Sequence, residues 1–106
     1  MRIAALASPG GSILQAVIDA CESGELPARV SLVISNNSSS GALERARSHG
    51  ISTAHLSSRT HTDPDALDEA IEQALMGADA DWVLLTGYMK RLGPRTLARY
   101  RNRIIN

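Results

Sequence analysis

Short apolar runs alternate with amphipathic stretches along the whole chain. The run RIAALA (2–7) carries apolar residues at successive positions after Arg2. Such a run without polar alternation predicts a strand buried on both faces. From 13 to 23, Leu14, Val17, Ile18 and Cys21 recur at helical spacing and predict a helix ended by Gly24. RVSLVIS (29–35) predicts a second strand, NNSSSG (36–41) a polar loop, and ALERARSH (42–49) a short helix stopped by Gly50. STAHLS (52–57) predicts a weak third strand. Asp63 and Pro64 read as the N-cap and first position of a helix reaching Met76, with Leu67, Ile71 and Leu75 in line and acids in its first turn. DWVLLT (81–86) is a fourth strand and GYMKRLG (87–93) a loop. Pro94 opens a last helix to Tyr100, and RIIN (103–106) begins a fifth strand.

Strands that alternate with helices are joined by right-handed crossovers, so the pattern predicts an α/β fold: a Rossmann-like parallel sheet with flanking helices. Ligands of such sheets collect at the C-terminal ends of the strands. Four segments are expected to meet there: SPGGS, SNNSSSG, TGYMKRL and Asn106. A core strand led by Ile104 and Ile105 has an edge that needs cover. The expectation is therefore the front part of a larger fold, truncated at that strand, which self-associates as a homo-oligomer or aggregate when alone.

Length and composition narrow the class. The 106 residues suit one domain, and 43% hydrophobic with 21% charged residues is ordinary for a globular protein. Eleven basic residues balance eleven acidic ones, so no strong field favours nucleic acid or a membrane surface. The apolar run before Pro9 is too short for a signal-peptide core, and no run approaches a membrane span. The lone Cys21 excludes an internal disulfide and fits a reducing compartment, so a cytoplasmic location is expected. With no Phe, the core is expected to be aliphatic.

Gly10 and Gly11 sit where a strand turns into a helix. Glycine there allows close approach or positive φ, and the free N–H groups of the helix start favour an anion such as a phosphate. The alternative is a tight strand-to-helix turn, with Ser12 and Gln15 forming a capping box. SNNSSSG offers amides and hydroxyls to a ligand, or is a solvated loop. GYMKRL either lines a flat organic ligand under Met89 and Leu92 or is an ordinary β-to-α connection. His49, His55 and His61 lack metal-ligand spacing and read as surface histidines, and no metal site is expected. Cys21 reads as an inert core thiol, Glu44, Arg45 and Arg47 as a solvated helix face, and Trp82 as packing. No Ser–His–Asp or paired-carboxylate pattern emerges.

SPGGSILQAVIDAC, VISNNSSSGALERARSHGI, LLTGYMKRLGP and the final RIIN occur in an order and at separations that resemble the N-terminal half of the phosphoribosylglycinamide formyltransferases. The resemblance runs the length of the chain and implies formyl transfer from 10-formyltetrahydrofolate to the amine of glycinamide ribonucleotide. It implies that Gly11, Ser12 and Ile13 hold the substrate phosphate through backbone N–H groups and that Gly87 lies beside the glycinamide. It also implies that Met89, Lys90 and Leu92 line the folate site and that Asn106 is catalytic, donating to the formyl oxygen. The chain departs from the family pattern at Ile13, where Asn is usual, at Pro9, where Gly is usual, and at Lys90, where Arg is common. The arginine that helps hold folate aligns with Pro64. The family's catalytic histidine and aspartate fall beyond Asn106, so this chain alone is expected to be inactive. Three other readings compete: formyltetrahydrofolate hydrolase, a sugar-nucleotide formyltransferase, and a non-catalytic phosphate-ligand binding module.

Overall fold

The computed structural model describes residues 1–7, 10–88 and 90–106. In chain order the elements are β1 (Arg2–Ala7), α1 (Ser12–Glu22), β2 (Arg29–Ser35), α2 (Gly41–Ser48), β3 (Ser52–His55), α3 (Pro64–Gly77), β4 (Trp82–Thr86), α4 (Pro94–Arg99) and β5 (Ile104–Ile105). The strands form one five-stranded sheet in the order β3-β2-β1-β4-β5, and every pairing is parallel. This is the Rossmann-like α/β fold predicted from the alternation.

β1 is covered on both faces, and it is apolar at every position after Arg2. Ala5 and Ala7 point to the side of α1 and α2, packing with Leu14, Ile18, Leu43 and Ala46. Ala4 and Leu6 point to the other side and meet Ile71 and Leu75 of α3, with Tyr88 and Tyr100.

β2 changes phase to serve both layers. Its register against β1 jumps between Ile3↔Val30 and Ala4↔Leu32, a bulge at Ser31. Val30 therefore joins the α1–α2 side with Val33, while Leu32 and Ile34 face α3. The Ser31 hydroxyl donates to the Ala78 carbonyl at 3.1 Å, giving the displaced residue a partner.

β3 is shorter than its apolar pattern suggested. Ser57 turns the chain instead of extending it: its N–H donates to the Thr60 hydroxyl oxygen at 2.8 Å, and that hydroxyl donates back to the Ser57 carbonyl at 2.9 Å. Asp63 caps α3 by accepting from the Asp65 N–H, and Pro64 follows it, as predicted. Asp68, on the next turn, is buried and caps a different helix. Its carboxylate accepts from the N–H groups of Arg95 and Thr96 at 2.8 and 3.1 Å and from the Thr96 hydroxyl at 2.7 Å. The start of α4, which has no cap from its own Gly93, is thereby satisfied by α3.

Candidate functional site

The connections reverse direction at β1: α1 leads to β2 on one side, while β4 lies on the other. The C-terminal ends of β1 and β4 therefore bound the crevice where such sheets bind ligands. An isolated bridge between Ala7 and Gly87 ties the two ends together. The glycine loop and the β4 loop, far apart in sequence, are neighbours.

Gly11 is the N-cap of α1 and is left-handed, with φ 78°; among the described residues no side chain caps this helix. The first hydrogen bond back to the loop is Gln15 N–H to the Gly11 carbonyl at 2.8 Å. Among the described residues nothing accepts from the N–H groups of Gly11, Ser12 or Ile13. The Ser12–Gln15 capping box of the alternative reading is absent. Ser12 already lies inside the helix, because a left-handed glycine occupies the cap. The Gln15 amide turns away to Asp19, His49 and Arg45. The Ile13 side chain is 59% exposed and makes no polar contact, so this residue offers only its N–H.

α2 presses on the glycine loop. A Cβ at Gly11 would lie 2.8 Å from the Ala42 Cα, and one at Gly41 would lie 2.9 Å from the Gly10 carbonyl oxygen. The close approach inferred for Gly11 is thus made by a helix of the same chain; around Gly10 there is open space. Arg45, read from sequence as part of a solvated face, reaches across instead. Its Nε donates to the Gly10 carbonyl at 2.8 Å and its Nη1 to Gln15 Oε1 at 3.2 Å. Helical spacing alone could not reveal that contact, which spans two helices.

Three side chains of the polar loop SNNSSSG hold the loop and the start of α2 in place. The Ser40 side chain caps α2, accepting from the N–H groups of Ala42 and Leu43. Ser35 Oγ accepts from Asn37 N–H, and Asn37 Oδ1 from Ser39 N–H. Asn36 lines a cavity of about 290 Å³ with Ser57, Arg59, Tyr88, Lys90 and Arg91. Among the described residues its lining holds three cations and no carboxylate, so the potential there is positive.

Gly87 is exposed with φ 81°. Tyr88 turns into the core, and burial pushes its hydroxyl above the usual tyrosine range. Met89 lies outside the described residues. Lys90 is exposed at the cavity, whereas Leu92 is half-buried and packs on the α3-side core. Asn106 is exposed and lies one residue beyond the Leu84↔Ile105 pair, so it lies at the C-terminal end of the sheet, as Gly87 does.

Other singled-out residues lie elsewhere. Cys21 and His49 line a second cavity, of about 220 Å³, beside Val30 at the start of β2 and so at the opposite end of the sheet. Burial, with Glu22 nearby, pushes the Cys21 thiol up, which suits the inert reading. His49 pairs with Glu22 at 2.8 Å. No group of His, Cys, Asp and Glu among the described residues is arranged to hold a metal ion.

A profile of the formyl transferase family matches residues 1–106. A phosphoribosylglycinamide formyltransferase from Haemophilus influenzae is 37% identical, covering 99% of this chain and 50% of that protein. The Escherichia coli protein of the same name is 36% identical over 100% of this chain and 50% of its own length. The crystal structure of glycinamide ribonucleotide transformylase 1 from Symbiobacterium toebii superimposes with a TM-score of 0.93 at 36% identity, covering 98% of this chain and 49% of that one. The chain spans about half the length of the curated relatives it matches. Matched by the family profile from its first residue to its last, the chain belongs to the formyl transferase family.

Proposed function

We propose that this chain supplies the phosphate-binding and part of the donor-binding site for transfer of a formyl group from 10-formyltetrahydrofolate to glycinamide ribonucleotide. The observation that carries the reading is the row of N–H groups at Gly11, Ser12 and Ile13 with no acceptor among the described residues, following a strand whose end, Ala7, is bridged to Gly87 of the β4 loop. Three N–H groups converging at a helix start favour a dianionic phosphate by hydrogen bonding and by the helix dipole. Ile13 contributes through its backbone, which explains how an apolar residue serves where a polar one is usual in the family.

With the phosphate held there, the glycinamide extends past Gly87. The donor lies on the β4 loop at Leu92, with Lys90 at the positive cavity; Met89 is assigned to the donor by the family resemblance alone. The amine nitrogen forms a bond to the formyl carbon, the bond from that carbon to the folate nitrogen breaks, and the departing proton ends on that nitrogen. Asn106 donates its amide N–H to the formyl oxygen as negative charge develops. A donor of that kind contributes about 10²–10³ in rate.

The test is an amide-resolved NMR titration of the chain with glycinamide ribonucleotide, with inorganic phosphate as the minimal probe. The Gly11, Ser12 and Ile13 amides are expected to shift together and saturate. If the shifts fall elsewhere, or the three amides stay put, the phosphate assignment is wrong.

A further inference from the structure

We propose that Arg45 is the positioning residue of the phosphate loop: by holding the Gly10 carbonyl it fixes the direction of the Gly11 N–H. The proposal rests on the phosphate reading above and adds the device that keeps one of its donors aimed.

The peptide joining Gly10 to Gly11 is planar and trans, so its carbonyl and its N–H point in opposite directions. Any group that fixes the first also fixes the second. A Gly–Gly linkage is the one most prone to turn over, since neither flanking residue has a Cβ to restrict it. Both residues sit at positive φ, 97° and 78°. No backbone hydrogen bond between the described residues restrains that carbonyl. The Arg45 Nε restrains it, at 2.8 Å, across 35 positions of sequence.

The guanidinium is itself held in place. Its Nη1 donates to Gln15 Oε1 at 3.2 Å, and the Gln15 amide nitrogen donates to Asp19 Oδ1 at 2.9 Å. Two N–H groups of one rigid plane thus engage two acceptors on the loop and on α1. A lysine has the charge but not the fork. Gly41 completes the arrangement: its missing side chain leaves the space in which the Gly10 carbonyl sits. α2 therefore acts as a template for the loop, with one strong contact and one deliberate gap.

Arg45→Lys separates this role from simple attraction of an anion, because the net charge is unchanged. Inorganic phosphate affinity, followed by the amide titration above, is expected to fall by roughly tenfold, the loss of one charge-assisted hydrogen bond. In the free protein the Gly11 amide is expected to shift and broaden from exchange between two peptide orientations, while amides of β3 and α3 stay unchanged. Gly41→Ala, which crowds the same carbonyl from α2, is expected to disturb the same Gly11 amide and serves if Arg45 variants fold poorly. If Arg45→Lys keeps the wild-type Gly11 signal and phosphate affinity, the proposal is overturned, whatever Gly41→Ala does. If wild-type protein does not bind phosphate at Gly11 while the variants still disturb that amide, the phosphate reading fails and the positioning contact stands.

Discussion

Gly11 lies so close to Ala42 that a Cβ on the first would come within 2.8 Å of the Cα of the second and 2.9 Å of its Cβ. The glycine is demanded by packing between the loop and α2, and by its φ of 78°, before any ligand arrives. Gly11→Ala combines a backbone clash with a left-handed residue. It is expected to destabilise the fold by about 2–4 kcal/mol. Gly10→Ala, with open space around it, is expected to lose only about 1 kcal/mol, for its positive φ. Urea unfolding of the two variants checks the ordering; equal midpoints would refute it.

The Asp68 cap on α4 has a pH signature. Burial alone would raise its carboxyl, but the Thr96 hydroxyl and the Arg95 and Thr96 N–H groups outweigh that, with Arg95 nearby, and hold it below the usual range. A carboxyl lowered on folding contributes stability that is fully present above its unfolded value, about pH 4. That contribution is lost as pH falls through the folded value. The urea midpoint of the wild type is expected to drop steeply below about pH 4. Asp68→Asn is expected to flatten that drop and to lose about 2–3 kcal/mol at neutral pH, since its NH₂ faces donors. A variant with unaltered acid dependence would show that other carboxylates carry it.

Gly93 needs to be glycine for a different reason from Gly11. Its φ of −78° is open to any residue, yet a Cβ there would collide with the Asp68 carboxylate. Gly93→Ala is therefore expected to break the same cap. Paired with Asp68→Asn it should be less than additive, because the two changes remove one interaction. A double variant losing the full sum of the singles would separate the two sites.

The elements themselves were legible because each has a local cause. The Asp63–Pro64 start of α3, the apolar run of β1 and the Leu67–Ile71–Leu75 stripe are written in consecutive residues. The contacts that shape the site were not. Arg45 to Gly10, Asp68 to Thr96 and Ala42 to Gly11 join elements 27 or more positions apart. A helix wheel assigns Arg45 to solvent and gives no reason to bury Asp68, because the neighbouring element that receives each is invisible to periodicity. The bulge at Ser31 was hidden likewise, since RVSLVIS reads as an unbroken run.

Chemistry at the site needs a proton acceptor that the neighbouring segments lack. Residues 7–13, 86–93 and 104–106 contain no His, Asp or Glu. The 106-residue chain is therefore expected to bind phosphate without measurable formyl transfer. A coupled assay with 10-formyltetrahydrofolate and glycinamide ribonucleotide checks this. Turnover near enzyme rates would mean that a group elsewhere in the chain acts as the base.

Association should depend on Ile105. It pairs with Leu84, which in turn pairs with Ala5, so all three side chains point to the α1–α2 side of the sheet. Ala5 is fully buried there, but Leu84 and Trp82 are half-buried and Ile105 is 48% exposed. β5 itself is only two residues long, too short an edge to recruit a strand from another molecule efficiently. The apolar face beside it is the stronger driver, and a net charge of zero offers little repulsion. Burying one isoleucine contributes about 1.5–3 kcal/mol. Ile105→Lys is thus expected to weaken self-association by roughly tenfold or more. Sedimentation across a concentration series distinguishes the outcomes. A wild type that stays monomeric at millimolar concentration, or a lysine variant that associates equally well, would show that this face is not the contact.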